Sequence, residues 1–237
     1  MKVVSWFSAG VSSAIATKIL IDEIDEIIYT HINDQHPDSM RFVKECEEWF
    51  GKPITILQSA YKNVENVCLT RKYVNGVHGA PCTVNLKKKV RIEWEYNQPL
   101  ETKLCYIWGL DCTEKERAER LVLAMPNQEH RFPLIEQSIS KEYAHEKLNA
   151  SGIKRPVMYE LGYNNNNCIG CVKGGMGYWN KIRVDFPEVF NDRAKMERKI
   201  GASALKDCFL DELDINAGNM SAEIMDDCGI FCELEKL

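Results

Sequence analysis

Two short segments of this 237-residue chain carry side chains spaced for chemistry. The first is Ser8-Ala9-Gly10-Val11-Ser12-Ser13, which follows the apolar run Val3-Val4-Ser5-Trp6-Phe7 and precedes a helical pattern with Ile15, Ile19 and Leu20. A strand, a short polar turn and a helix N-terminus offer an anion site, because free backbone N–H groups and the helix dipole both favour negative charge there. Ser8, Ser12 and Ser13 add hydroxyl donors, and Gly10 lets phosphate oxygens approach the backbone. The segment is neither a Walker A loop nor a G-x-G-x-x-G dinucleotide turn. The competing reading is an ordinary strand-to-helix turn with serine at the cap.

The second segment is Cys168-Ile169-Gly170-Cys171, a C-x-x-C spacing that lets two thiolates bind one metal ion or one cluster edge. Cys82, in Gly79-Ala80-Pro81-Cys82-Thr83, is the natural third ligand, and Cys228 or Cys232 completes four. A [4Fe-4S] cluster, a zinc ion and a redox dithiol are the three readings. Cys228 lies beside Gly229 near the end of the chain, where a thiolate could swing into a site as a nucleophile. Its neighbours Asp226 and Asp227 raise its pKa, so it needs a basic pocket, for which Lys87, Arg117 and Arg120 are candidates. The bland alternative is a tail with two incidental thiols. Of the ten cysteines, Cys46 falls on a core stripe with Val43 and Phe50, while Cys68, Cys105, Cys112 and Cys208 stand alone. Without an export signal, such cysteine usage points to metal or redox chemistry rather than disulfides.

The elements that hold these segments alternate. Strands are expected over 3–7, 26–32, 53–58 and 104–108, with helices over 12–24, 39–50, 84–96 and 114–123 between them. This pattern predicts an α/β fold with a mostly parallel sheet and helices on both faces. Ligands then bind at the carboxyl ends of the strands. That edge gathers Ser8 to Ser13, the loop from His31 through Asp34 to Asp38, and Trp108-Gly109-Leu110-Asp111. His31 and His36 are expected to line the pocket, a metal role being the alternative, and Arg117 to contact phosphate or sulfate bidentately, against the reading of its helix as a solvated charged face. After Pro133 a helix is expected over 141–149, then a loop-rich stretch over 162–177, a final helix over 187–200 and a polar tail. Residues 1–186 thus form a nucleotide-binding domain, and 187–237 a helix and cysteine-bearing tail packed on or over its site.

The bulk numbers narrow the partners. A net charge of −5 argues against nonspecific nucleic-acid binding, although Lys87-Lys88-Lys89-Val90-Arg91 is a local basic patch. No apolar run approaches the ~20 residues needed to cross a bilayer, and a strand begins almost at the N-terminus. A cytoplasmic protein without membrane contact is the expectation.

Taken in order, these segments resemble the phosphoadenosine-phosphosulfate reductase family of the adenine nucleotide alpha-hydrolase (PP-loop) superfamily. Ser8 to Ser13 is similar to the S-G-G-x-x-S loop, Pro37-Asp38-Ser39 to the P-E-T helix start, and Cys82 with Lys87 to a C-x-x-x-K segment. Gly109 to Arg117 resembles G-x-R-x-x-E-S-x-x-R. Pro133-Leu134, Met158 to Tyr163 and Cys168 to Cys171 follow the family's P-L, L-Y-x-x-G-Y and G-C-x-x-C order, and Asp227-Cys228-Gly229-Ile230 resembles its terminal E-C-G-L-H. The chain departs from the pattern in four places: Ser12 replaces the PP-loop aspartate, Ala9 replaces a glycine, Thr83 follows Cys82 where a second cysteine is usual, and Phe231 replaces a histidine. These mark a divergent branch, including the phage-encoded type.

The resemblance implies an adenine nucleotide or sulfonucleotide held by Ser8, Ala9, Gly10, Ser12, Ser13, Asp34, Gly109 and Asp111, with Lys87 and Arg117 neutralising phosphate and sulfate. It implies Cys228 as nucleophile on sulfur, a thioredoxin-like reductant, and a [4Fe-4S] cluster or zinc on Cys82, Cys168, Cys171 and Cys232. ATP-dependent thiolation of a nucleic acid or small molecule, and nucleotide or redox sensing without catalysis, are the alternatives. A homodimer is left open.

Overall fold

The structure, a computed structural model, describes residues 1–76 and 79–222. Five strands, β1 (Lys2–Phe7), β2 (Glu26–His31), β3 (Ile54–Gln58), β4 (Leu104–Ile107) and β5 (Glu129–Arg131), form one sheet in the order β3-β2-β1-β4-β5. Every pairing is parallel, with Trp6 opposite Ile28, Ser5 opposite Ile107 and Ile28 opposite Thr55. The α/β class read from the alternating pattern is the observed one. Between the first strands run α1 (Val11–Ile19), α2 (Asp38–Phe50) and α3 (Val64–Arg71). The short α4 (Pro81–Thr83) passes through a π-helical turn, Val84–Lys88, into α5 (Lys89–Tyr96). Then follow α6 (Lys115–Ala124), α7 (Pro133–Glu136), α8 (Lys141–Ala150), α9 (Val157–Glu160), α10 (Met176–Asp185) and α11 (Pro187–Ile200).

Side chains on a strand point alternately to opposite faces, and both faces of this sheet are covered. Phe7, Ile27, Tyr29 and Ile107 pack with Ile15 of α1, Phe42 of α2 and Leu148 of α8. Val4, Trp6, Ile28 and Tyr106 face the other way, against Trp94 of α5 and Leu121 of α6. Each such large side chain, fully buried, contributes roughly 1.5–3 kcal/mol. A third cluster joins α3, the α4 turn and α11 through Val67, Cys82, Leu86, Cys168 and Met196. A fourth holds Tyr178, Trp179 and Ile182 of α10 against Phe190 and against Leu205, Leu210 and Leu213, which follow α11.

Several boundaries differ from expectation for identifiable reasons. Helix α1 stops at Ile19 rather than continuing to Ile24. Lys52 Nζ donates to the carbonyls of Ile21 and Ile24, at 2.7 and 2.6 Å, which satisfies them outside a helix. Helix α10 occupies a stretch with no clean 3.6-residue pattern, because Gly177, Tyr178, Trp179 and Ile182 are buried on several sides. Strand β5 is three polar residues at the sheet edge. Among the described residues no helix is long and apolar enough to cross a membrane.

Strand order reverses direction between β1 and β4. In an open parallel sheet that switch point opens a crevice at the carboxyl ends of the two strands. The turn after β1 and the Trp108–Asp111 turn after β4 both lie there.

Candidate functional site

The turn from β1 into α1 is held from inside and outside. Ala9, fully buried, takes a left-handed backbone (φ 60°) at the position where the resemblance has glycine. Gly10 is the helix cap and supplies no capping side chain. The Ser13 hydroxyl accepts from Ser8 N–H (3.2 Å) and Ser8 Oγ–H (2.9 Å) and donates to the Gly10 carbonyl (2.9 Å). Its one proton is thus spent inside the loop, so Ser13 shapes the turn rather than offering a free hydroxyl. Ser12, 8% exposed, sits beside it in the first turn of α1. From outside, Tyr159 OH accepts the Val11 N–H (3.3 Å), and Asn166 Nδ2 donates to the Ala9 carbonyl (2.8 Å). Asn166 is fixed by reciprocal bonds with Ser39 Oγ of α2, at 3.0 and 3.2 Å.

The opposite wall of the crevice comes from β4. Gly109 lies against the start of α1 so closely that a Cβ there would meet Ser13 Cα at 2.4 Å and Ser13 N at 2.6 Å. Its role is to let the two walls touch. Asp111 closes the next turn, its Oδ1 accepting from Thr113 N (2.8 Å) and Thr113 Oγ1 (2.6 Å). Glu114 accepts from Asp111 N (3.0 Å) and from Arg117 Nη1 (2.5 Å), and burial raises its carboxyl above the usual range. Arg117, 7% exposed, is therefore already paired with a carboxylate at the head of α6.

Asp34, beyond β2, is engaged on three sides. Its carboxylate pairs with Arg193 of α11 and accepts the Val64 N–H that opens α3 (2.7 Å). Its backbone carbonyl accepts the Ile169 N–H inside the C-x-x-C turn (2.8 Å). The residue expected beside the nucleotide thus ties that turn to the sheet. Tyr29 stands close by. Burial pushes its phenol well above the usual range; the nearby Cys168 thiol adds to this, while Lys87 and a 2.6 Å bond to Gln35 Oε1 oppose it. Lys87, buried in the π-helical turn, and Cys168 therefore both lie within electrostatic reach of one phenol. π-helical turns recur at functional sites. His36 Nδ1 accepts the Asp38 N–H (3.1 Å) at the head of α2, and burial holds His31 below the usual histidine range.

Cys82, Cys168 and Cys171 are all buried, between 6% and 9% exposed. The C-x-x-C turn is clasped by Tyr178 of α10, whose OH accepts from Cys171 N (2.9 Å) and donates to the Cys168 carbonyl (3.1 Å). Arg193 Nε adds a bond to the Gly170 carbonyl (3.3 Å). A small cavity runs beside it, between Met158, Tyr163, Cys168, Tyr178 and Met220. Among the described residues no group of three or more His, Cys, Asp or Glu side chains is arranged to hold a metal ion. The donors present therefore do not by themselves make a cluster or zinc site. Cys228 and Cys232, the expected nucleophile and fourth ligand, lie outside the described residues.

The chain is led to this cavity by the stretch after α11. Glu197 accepts from Ala204 N (2.6 Å) and Leu210 N (2.8 Å). Arg183 donates to the carbonyls of Leu210 and Leu213, and Asn180 to those of Asp214 and Ala217. Gly218 then packs on Gly177 so tightly that a Cβ on Gly218 would meet Gly177 N at 2.2 Å.

Asn166, Tyr178 and Arg193 are the contributors that the motifs did not announce, and Tyr159 lies in the Met158–Tyr163 motif without an assigned role. A tyrosine or asparagine reaching a backbone group more than a hundred residues away leaves no periodic trace. Compared with known proteins, the chain matches no protein-family model and no curated protein.

Proposed function

We propose that this protein is a sulfur-handling enzyme of the sulfonucleotide reductase type, binding an adenine nucleotide at Ser8 to Ser13. The observation that carries the reading is one shared support. The segment 159–166 braces the turn at the β1–β4 switch point and leads directly into Cys168. The turn read as phosphate-binding and the thiol pair thereby share one support, which favours a single site. In this reading the Gly10 N–H, the first-turn N–H groups of α1 after Val11 and the dipole of α1 hold the nucleotide phosphate, with Ser8 and Ser12 alongside. Lys87 supplies positive charge near the thiols, and preorganised charge of this kind is a large catalytic contribution for anionic substrates.

The chemistry follows from a thiolate and a phosphosulfate, the mixed anhydride of a nucleotide phosphate with sulfate. The Cys228 thiolate attacks sulfur, the bond from sulfur to the bridging phosphate oxygen breaks, and the nucleotide leaves with that electron pair. A thiosulfonate on Cys228 results. One thiolate of an external dithiol of the thioredoxin type attacks the Cys228 sulfur, sulfite departs with the electron pair, and the second thiol displaces Cys228 to close the dithiol's disulfide. Two electrons pass from the dithiol to sulfur. A [4Fe-4S] cluster or zinc belongs to the same proposal: with Cys228 as the nucleophile, Cys82, Cys168, Cys171 and Cys232 would hold it, and it would supply order to this corner of the site.

The test is sulfite release from adenosine phosphosulfates, with and without a 3′-phosphate, in the presence of a dithiol reductant. Iron, sulfide and zinc are measured on the same anaerobic preparation. The expected result is sulfite from the parent protein and none from Cys228→Ser. Pyrophosphate from ATP without sulfite overturns the reading in favour of thiolation. Tight nucleotide binding with neither product overturns it in favour of sensing.

A further inference from the structure

We infer that Asn166 is a positioning residue that aims the backbone of the phosphate turn at its ligand; the inference rests on the reading of Ser8 to Ser13 as a nucleotide phosphate site. The peptide joining Ala9 to Gly10 is planar and trans, so its C=O and N–H point in opposite directions. Asn166 Nδ2 holds the C=O end at 2.8 Å. The Gly10 N–H is thereby directed away from Asn166, on the side where α1 begins. The Ser13 hydroxyl binds the Gly10 carbonyl on the other side of that residue, so of these bonds the one from Asn166 is made to the Ala9–Gly10 peptide itself. Ala9 is an L-residue in a left-handed conformation, which costs roughly 1–2 kcal/mol and persists only where the surroundings enforce it.

The asparagine is itself prevented from turning. It is 3% exposed, and Ser39 Oγ both donates to its Oδ1 and accepts from its Nδ2. Ser39 lies in the first turn of α2, so the sheet's second crossover sets the rotamer that sets the turn. Tyr159 fixes the next peptide in the same way, by accepting the Val11 N–H. With the Ala9 carbonyl and the Val11 N–H both occupied, the intervening Gly10 N–H is the group whose direction distinguishes an ordered anion donor from a floppy turn. Asn166 touches neither substrate nor reacting atoms; it acts through Gly10.

The probes are 5′-AMP and adenosine, measured by calorimetry on the full chain. The parent is expected to prefer AMP, because only AMP presents a phosphate. Asn166→Ala is expected to weaken AMP at least about tenfold, the scale of one hydrogen bond to a charged group. Adenosine affinity is expected to stay within about twofold. Ser39→Ala keeps the amide and frees its rotamer, so an intermediate loss confined to AMP is expected. If Asn166→Ala does not fold, the Ser39→Ala result decides. A structural defect alone would weaken both ligands together, and that outcome, or unchanged AMP affinity in the folded variants, overturns the inference. A parent that does not prefer AMP to adenosine overturns instead the phosphate reading beneath it.

Discussion

Arg193 of α11 and Asp34 beyond β2, 159 residues apart in sequence, form an ion pair with side chains only 5% and 12% exposed. Asp34 also opens α3 and, through its backbone, accepts from Ile169. Removing one member of a buried pair leaves a desolvated charge without a partner, which costs about 3–5 kcal/mol. Arg193→Met is therefore expected to destabilise the fold by that amount in urea. Asp34→Asn combined with Arg193→Met is expected to recover part of the loss. A coupling energy below about 0.5 kcal/mol in the four-member cycle would show that the pair does not hold the C-x-x-C turn.

Gly109 makes a prediction of another kind. A methyl there meets backbone atoms of Ser13 rather than the tip of a side chain, so α1 or β4 must move. Overpacking of this sort costs roughly 1–3 kcal/mol, or about 2–4 °C in melting temperature for each kcal/mol in a chain of this size. Gly109→Ala is expected to lower the melting temperature and, because the turn carrying Ser13 shifts, to weaken AMP as well. A melting temperature and an affinity both equal to the parent's would mean that the two walls are not in contact.

The histidines predict how stability responds to acid. Burial holds His31, His130 and His145 below the usual histidine range. His130 Nδ1 accepts from Trp108 Nε1 at 2.9 Å, so its proton sits on Nε2, facing the Met125 carbonyl at 2.8 Å. Around pH 6 the unfolded chain binds more protons at these residues than the folded one does. By linkage, stability is complete above the unfolded value of ~6.5 and falls as pH drops below it. Raised Glu114 and Glu197 act in the opposite direction, starting from the lower carboxylate range, so 5.5 and 7.5 are the informative pH values. The urea midpoint is expected to be lower at pH 5.5 than at 7.5, with the difference smaller in His130→Gln. An unchanged difference in that variant would remove His130 from the account.

Much of the architecture was readable because β1 to β4 are apolar, β-branched or aromatic runs bounded by turn residues, and because α2 and α11 repeat their apolar positions on one face. The polar edge strand Glu129–Arg131 and the many-sided burial of Tyr178, Trp179 and Ile182 obey neither rule. The Ser8–Ser13 turn was visible for its residue types. What the types did not reveal is how their hydrogen bonds are allotted: Ser13 gives its proton to Gly10, Asp111 serves Thr113, and Arg117 serves Glu114. Those pairings depend on where elements dock, which local composition does not encode. Asn166 and Arg193 act across 157 and 159 residues, and only the folded chain brings them to Ala9 and Asp34.

The contact of Gly218 on Gly177 decides where the chain after α11 comes to rest. It anchors the chain so that Met220 borders the same cavity as Cys168. Gly218 itself holds a left-handed backbone (φ 75°), so a side chain there would be strained as well as crowded. The border of the Cys168 cavity thus rests on two positions that admit no side chain, and both lie far in sequence from the sheet.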